Sequence, residues 1–103
     1  MHKPELFDII ELLVNLPENH LSLGDRGAIV ECYPDNTCEV EFTNDEGETL
    51  ALCALSEEQF IVVWNANTKS WLSTSERLDA IINRLSEPIK QEVLEFARSL
   101  YQR

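Results

Sequence analysis

Apolar and polar positions alternate through the middle of the chain, and this period of two predicts β-strands. The clearest run is residues 38–43, in which Cys38, Val40 and Phe42 share one face and polar residues form the other. That alternation is typical of an antiparallel strand with one side buried. Turn sequences separate further strand-like runs at residues 6–14, 26–33, 48–55 and 60–64. The sequence therefore predicts five consecutive antiparallel strands, which indicates a small barrel.

A glycine-bracketed turn precedes the second of these strands. Gly24 and Gly27 flank Asp25 and Arg26. Glycine takes positive φ at little steric cost and aspartate can accept hydrogen bonds from its own nearby backbone, so Gly24, Asp25 and Gly27 are predicted to form a structural turn. The two faces of the strand that follows are predicted to be Ala28, Val30 and Cys32 on one side and Ile29 and Tyr33 on the other.

The hydrophobic period changes to about 3.6 residues after residue 72, which indicates helices. Ser73 and Glu76 have the spacing of a helical capping box, and Pro88 suits the first turn of a second helix that Ser86 caps. The apolar stripe of the two helices is Leu78, Ile81, Ile82, Leu85, Ile89, Val93, Phe96 and Leu100. The predicted organisation is a barrel over residues 1–64, a polar connector over 65–72 and a helical pair over 73–103.

The net charge of −11 lies entirely within residues 1–73, whereas residues 74–103 carry equal numbers of acidic and basic side chains. An acidic surface repels phosphate backbones, so direct nucleic-acid binding is not expected. The charge can instead attract a basic protein partner, or serve solubility alone. Glu31, Glu39 and Glu41 are predicted to meet on the outer face of one hairpin, either as a solvated acidic face or as a divalent cation site.

No combination of residues indicates catalysis. A Ser–His–Asp or Cys–His set and a phosphate-binding loop are both missing from the sequence. We therefore expect no enzymatic activity, no cofactor and no metal. Nothing in the sequence resembles a signal peptide, and the apolar stretch at residues 6–14 is too short to cross a bilayer. A cytoplasmic protein without membrane contact is expected.

Three cysteines, Cys32, Cys38 and Cys53, lie in or beside apolar strand-like segments. Cysteine in such a setting behaves as a small hydrophobic side chain, so reduced thiols in or near the core are the main expectation. A zinc site completed by His2 or His20 and a redox pair are the alternatives.

Several segments of the first part resemble a family of short uncharacterised bacterial proteins. These segments are residues 5–8 (ELFD), 17–18 (PE), 24–31 (GDRGAIVE), 40–42 (VEF), 47–49 (GET) and 51–52 (AL). The family is held to be a small SH3-like barrel, similar to barrels in nitrile hydratase accessory proteins and ribosomal proteins. Over residues 5–64 the resemblance implies a five-stranded SH3-like antiparallel barrel and transfers no catalytic residue.

The helical part has a resemblance of its own. Residues 84–88 (RLSEP) and 91–96 (QEVLEF) resemble a family of short bacterial proteins proposed as antitoxins. Those proteins are thought to be encoded beside ribonuclease toxins of the PIN-domain type. Over residues 76–100 the resemblance implies an antitoxin-like component of a toxin–antitoxin system.

Two functions of different class follow from these observations. In the first, the protein is a non-enzymatic interaction module whose helical stripe binds another protein, such as a toxin. In the second, the stripe packs against a second copy of the chain and the protein is a structural homo-oligomer. Packing of the whole stripe on the barrel of its own chain is the alternative to both.

Overall fold

The computed structural model describes residues 3–103, which form a mainly β fold followed by two helices. Over these residues the strands are β1 (Ile9–Leu12), β2 (Arg26–Cys32), β3 (Thr37–Thr43), β4 (Thr49–Ser56), β5 (Phe60–Asn65) and β6 (Ser70–Trp71). The helices are α1 (Thr74–Ile82) and α2 (Glu87–Tyr101), and short 3₁₀ turns occupy Pro17–Asn19 and Glu57–Gln59. The strands pair antiparallel in the order β4-β3-β2-β1-β5-β6.

The predicted class, β-strands followed by a helical pair, is confirmed, but a closed barrel of five strands is not. The sheet of the described residues has six strands and is open, because β4 and β6 form its two edges. The additional strand, β6, falls within the predicted connector 65–72. It pairs with β5, where Trp71 lies opposite Trp64 and Ser70 opposite Asn65.

The first strand is shorter than the apolar stretch at residues 6–14 predicts. Only Ile9–Leu12 is extended, and Phe7 before it has a φ of 71°. Asp8 lies between them with its side chain fully buried. Its carboxylate accepts hydrogen bonds from the backbone N–H groups of Glu5, at 3.0 Å, and of Ala66, at 2.8 Å. The chain therefore bends into the sheet around a buried carboxylate.

The core covers the inner face of the sheet. On β3, Cys38, Val40 and Phe42 are buried, as the alternation predicts. The other buried members of the cluster are Ile10, Leu12, Leu21, Ile29, Cys53, Leu55, Phe60 and Val62. Cys53 and Leu55 are the contribution of β4 to this core. Most members of the core lie on the four strands β1, β3, β4 and β5.

Strand β2 departs from strict alternation. Its register with β3 shifts between Ile29 and Glu31, which marks a β-bulge. Ile29 is fully buried, Val30 is exposed, and Cys32 packs against the core. The predicted common face for Val30 and Cys32 is therefore wrong, because the extra residue of the bulge turns Cys32 inward.

The predicted helix starts are confirmed. Ser73 and Glu76 form the capping box of α1: the Ser73 N–H donates to Glu76 Oε1 at 2.9 Å, and the Glu76 N–H donates to Ser73 Oγ at 3.1 Å. Helix α2 has Ser86 at its N-cap position, as predicted, but the Ser86 side chain makes no capping hydrogen bond; Pro88 lies in the first turn, where a missing N–H costs nothing.

Candidate interaction surface

The glycine-bracketed turn is built around Asp25. The Ser22 N–H donates to Asp25 Oδ2 at 2.8 Å, and Gly24 has a φ of 92°, which glycine adopts at little steric cost. The Gly24 N–H donates to the Leu12 carbonyl oxygen at 2.8 Å, which joins the turn to β1. This turn sets where β2 begins relative to β1.

Gly27 lies inside β2 rather than in the turn, and its role is different. A Cβ atom at this position would lie 2.7 Å from Val40 Cγ1, 2.9 Å from the Glu41 carbonyl oxygen and 2.9 Å from Phe42 Cδ1. Real Cβ atoms essentially never show contacts this short. Glycine is therefore required here for the close packing of β2 on β3.

Helix α1 lies against β5 and carries the first three residues of the predicted stripe; the fourth, Leu85, is predicted to lie on the same helix but follows its end at Ile82. Leu78 is exposed, whereas Ile81, Ile82 and Leu85 are half-buried. The Arg84 guanidinium fixes the end of this helix: its Nε donates to the Glu57 carbonyl oxygen at 3.1 Å, and one terminal nitrogen donates to the Ala80 carbonyl oxygen at 2.6 Å. The end of α1 is thereby tied to the 3₁₀ turn before β5.

Helix α2 carries the second half of the stripe, and none of its residues is buried. Ile89, Val93, Phe96 and Leu100, which we call the α2 stripe, fall within an arc of about 60° at 100° per residue. Phe96 is 65% exposed, Ile89 43% and Leu100 39%, and Val93 is half-buried. The structure thus places three of the eight predicted interface residues on α1, Leu85 in the turn between the helices, and the four residues of the α2 stripe on a helix without buried residues.

A cleft of about 300 Å³ separates α1 from the sheet. Its walls are Pro4, Val62, Leu72, Glu76, Asp79, Ala80, Asn83 and Arg84. Two of its charged groups already serve the fold, since Glu76 caps α1 and Arg84 binds backbone carbonyl oxygens. The cleft therefore belongs to the packing of α1 on the sheet.

The acidic residues of the hairpin lie where the sequence predicts, with Glu31 opposite Glu39. The Tyr33 hydroxyl donates to Glu39 Oε1 at 3.1 Å, and this hydrogen bond raises the pKa of Tyr33 above its usual value. The Thr49 hydroxyl donates to Glu41 Oε2 at 2.7 Å. These carboxylates are thus part of the polar outer surface of β2, β3 and β4.

Within residues 3–103, no group of three or more His, Cys, Asp or Glu side chains has the arrangement of a metal site. His20 ends the first 3₁₀ turn with a φ of 57°, and His2 lies outside the described residues. The three cysteines are free thiols: Cys38 and Cys53 are buried and Cys32 is half-buried. None of the helices formed by the described residues combines the length and apolar character that a membrane crossing requires.

Two features of the surface of the sheet have no clear signal in the sequence. Leu50 and Leu52 point outward from the edge strand β4 and are 60% and 58% exposed. The guanidinium of Arg26 lies 5.2 Å from the ring centre of Trp71, a cation–π contact between β2 and β6. The partners in this contact are 45 positions apart, so no local pattern could have predicted it.

The comparison with known proteins gives a match for the segment that contains the first four strands and the start of the fifth, but none for the helices. No curated protein and no solved structure matches the chain. One family model, described as a domain of unknown function (DUF4926), matches residues 6–62, somewhat more than half of the chain. The match runs from the segment before β1 into β5, so that β6, α1 and α2 lie outside it. The chain therefore belongs to the DUF4926 family of domains of unknown function.

Proposed function

We propose that this protein is a non-enzymatic interaction module that binds another protein through its C-terminal helices. The observation that carries the proposal is the exposure of the α2 stripe: a fifteen-residue helix with an ordered apolar face has no buried residue. Amphipathic helices of this kind commonly bind in an apolar groove of a partner, with anchors three and four residues apart on one face. Ile89, Val93, Phe96 and Leu100 have this spacing.

The stripe can contribute part of the free energy of binding. Full burial of one large apolar side chain stabilises a complex by about 1.5–3 kcal/mol relative to exposure. Because the stripe residues are already partly covered, each gains only a part of that amount on binding. Four such residues still contribute several kcal/mol, which is in the range needed to offset the ordering of side chains at an interface.

Charge indicates the kind of partner. Residues 1–73 carry the full net charge of −11, and a basic protein would be attracted to them before the helix docks. We propose a partner that combines a basic surface with an apolar groove. The resemblance of residues 76–100 to proposed bacterial antitoxins extends this proposal to a toxin as the partner. A cytoplasmic location is part of the same proposal.

The proposal includes a finer description of the first five strands as an SH3-like barrel. Their order, β4-β3-β2-β1-β5, and the 3₁₀ turn Glu57–Gln59 between β4 and β5 support it. In this arrangement the barrel acts as a stable support for the helices. Arg84 would hold α1 in a fixed position on that support.

A homo-oligomer is the second candidate, and one observation favours it. Residues 74–103 have balanced charge, so two copies could bring their helices together while the acidic sheets stay apart. The expected assembly would then be a twofold dimer that buries both α2 stripes.

Light scattering of the purified protein across a dilution series distinguishes the two candidates. If the original chain and Phe96→Ser are both monomers, the result supports a different protein as the partner. If the original chain is a dimer and Phe96→Ser is a monomer, the result supports self-association. Leu50→Ser is the matched control, because Leu50 is exposed to a similar extent on the sheet.

Capture from a bacterial lysate then tests for the partner. A basic protein retained by the original chain and by Leu50→Ser, but lost with Phe96→Ser and Val93→Asp, is the expected result. Retention should weaken with added salt, because charge contributes to it. Both candidates would be refuted if the protein is a monomer and if the original chain and the three variants capture the same proteins.

A further inference from the structure

Two of the three cysteines lie in direct contact across the β2–β3 hairpin. Cys32 and Cys38 are opposite each other in the ladder, and their Sγ atoms are 3.8 Å apart. The bulge after Ile29 is responsible for the contact, because it turns Cys32 to the inner face where Cys38 already lies. Cys53 is opposite Val40, elsewhere in the ladder.

The backbone geometry at this pair suits a disulfide. The Tyr33 N–H donates to the Thr37 carbonyl oxygen at 2.8 Å, so the neighbouring pair is a hydrogen-bonded one. Because the two pair types alternate along an antiparallel ladder, Cys32 and Cys38 form a non-hydrogen-bonded pair, with Cα atoms about 4.5 Å apart. Disulfides span Cα separations of about 4.4–6.8 Å, so the backbone needs little adjustment. The sulfurs would approach by roughly 1.8 Å to reach bonding distance, which a side-chain rotation supplies.

We propose that Cys32 and Cys38 form an oxidation-sensitive pair that closes to an intrachain disulfide when the protein meets a peroxide. Cys32 is half-buried and is the thiol that the oxidant reaches, whereas Cys38 is only 3% exposed. This inference does not depend on the proposed interaction function.

The chemistry proceeds in two balanced steps with hydrogen peroxide as the oxidant. First, the Cys32 sulfur attacks one peroxide oxygen, the O–O bond breaks, and the products are a sulfenic acid and water. Second, the Cys38 thiol releases its proton, the thiolate attacks the Cys32 sulfur, the S–O bond breaks, and the departing hydroxide takes up a proton and leaves as water. The two thiols lose two electrons and two protons, and one peroxide becomes two waters.

Burial and the hydrogen bond with Cys32 raise the pKa of Cys38 to about 12. The attacking form in the second step is the thiolate, so this step is slow at neutral pH and becomes faster as the pH rises. We therefore expect dimedone to trap part of the Cys32 sulfenic acid at pH 7. At pH 9 more of the product should be disulfide and less should be the dimedone adduct.

The test uses the chain of 103 residues, treated with hydrogen peroxide and then denatured and alkylated with N-ethylmaleimide. Cleavage after glutamate places Cys32 and Cys38 in residues 32–39 and Cys53 in residues 49–57, so the peptides report on them separately. The expected result is a 32–39 peptide two hydrogens lighter that takes no label until it is reduced. The Cys53 peptide should stay fully labelled, and the Cys53→Ser control should behave in the same way.

Cys38→Ser should yield the dimedone adduct at Cys32 and no disulfide. Because the unaltered chain already reports the disulfide, the test does not depend on the folding of that variant. The proposal is overturned if Cys53 enters the disulfide, or if the disulfide joins two chains. It is also overturned if residues 32–39 remain fully alkylated under peroxide that oxidises free glutathione.

Discussion

Replacement of Asp8 by asparagine tests the buried carboxylate that joins the start of β1 to the turn after β5. Asp8 is fully buried and accepts N–H groups of Glu5 and Ala66 on its two oxygens. Asparagine keeps the shape but has one acceptor oxygen, so one of these N–H groups would face an NH₂ group instead. A hydrogen bond to a charged acceptor contributes about 1.5–3 kcal/mol, and an unsatisfied buried donor costs a similar amount. We expect Asp8→Asn to lower the free energy of unfolding by about 2–4 kcal/mol, a large part of a total near 5–15 kcal/mol.

Urea unfolding followed by tryptophan fluorescence measures this effect, since Trp64 and Trp71 lie on β5 and β6. The midpoint should fall while the slope stays constant, as for a loss of stability without a change of fold. Asp25→Asn is the matched control, because Asp25 accepts the Ser22 N–H at an exposed site, where the remaining amide oxygen or water can accept this N–H instead. Its expected cost is below about 1 kcal/mol. Equal shifts of the two midpoints would show that the burial of Asp8 does not have the energetic role argued here.

Four further substitutions, one of them a control, test the packing and the first helix. Gly27→Ala should destabilise the protein by about 1–3 kcal/mol in the same urea assay, because its Cβ would contact the Glu41 carbonyl oxygen, which belongs to the rigid backbone. Gly47→Ala is the control for backbone strain without crowding, since Gly47 has a positive φ but open space around it. The Ser73 N–H and hydroxyl hold the pKa of Glu76 below its ordinary value of 4.5. The ionised Glu76 side chain therefore stabilises the fold above pH 4.5, and this stabilisation is lost as the pH falls through the lowered pKa. Glu76→Gln removes the titrating group, so the helical circular dichroism signal of this variant should change less with pH in the acid range. Arg77→Met should be neutral or stabilising in urea, because Arg77 Nε is buried without a hydrogen-bond partner among residues 3–103.

The helix starts could be predicted from the sequence because their determinants are local. Ser73 and Glu76 are three residues apart, and each forms its capping bond with the other's backbone. Alternation on β3 is similarly local, and it correctly identified Cys38, Val40 and Phe42 as core residues. Patterns of this kind depend only on the period of the element and on neighbouring residues.

What the sequence could not provide depends on contacts between distant segments. Asp8 interrupts an apolar run and has the pattern of a solvent-facing residue, yet one of its partners, Ala66, is 58 positions away. Strand β6 has two residues and no periodicity, and only its pairing with β5 defines it. The bulge in β2 depends on the register with β3, so the contact of Cys32 with Cys38 had no signature in the alternation pattern.

The energetics of α2 bear on why its apolar residues are there. A helix of fifteen residues is marginal in water by itself, and most helices in proteins are stabilised by packing of their apolar face. Helix α2 has no buried residue, so its stripe contributes little to the stability of its own chain. Substitutions at Phe96 should therefore leave the urea midpoint of the sheet unchanged while they abolish association. A loss of sheet stability with Phe96→Ser would mean that the stripe packs on its own chain, and the interaction proposal would then lose the observation that carries it.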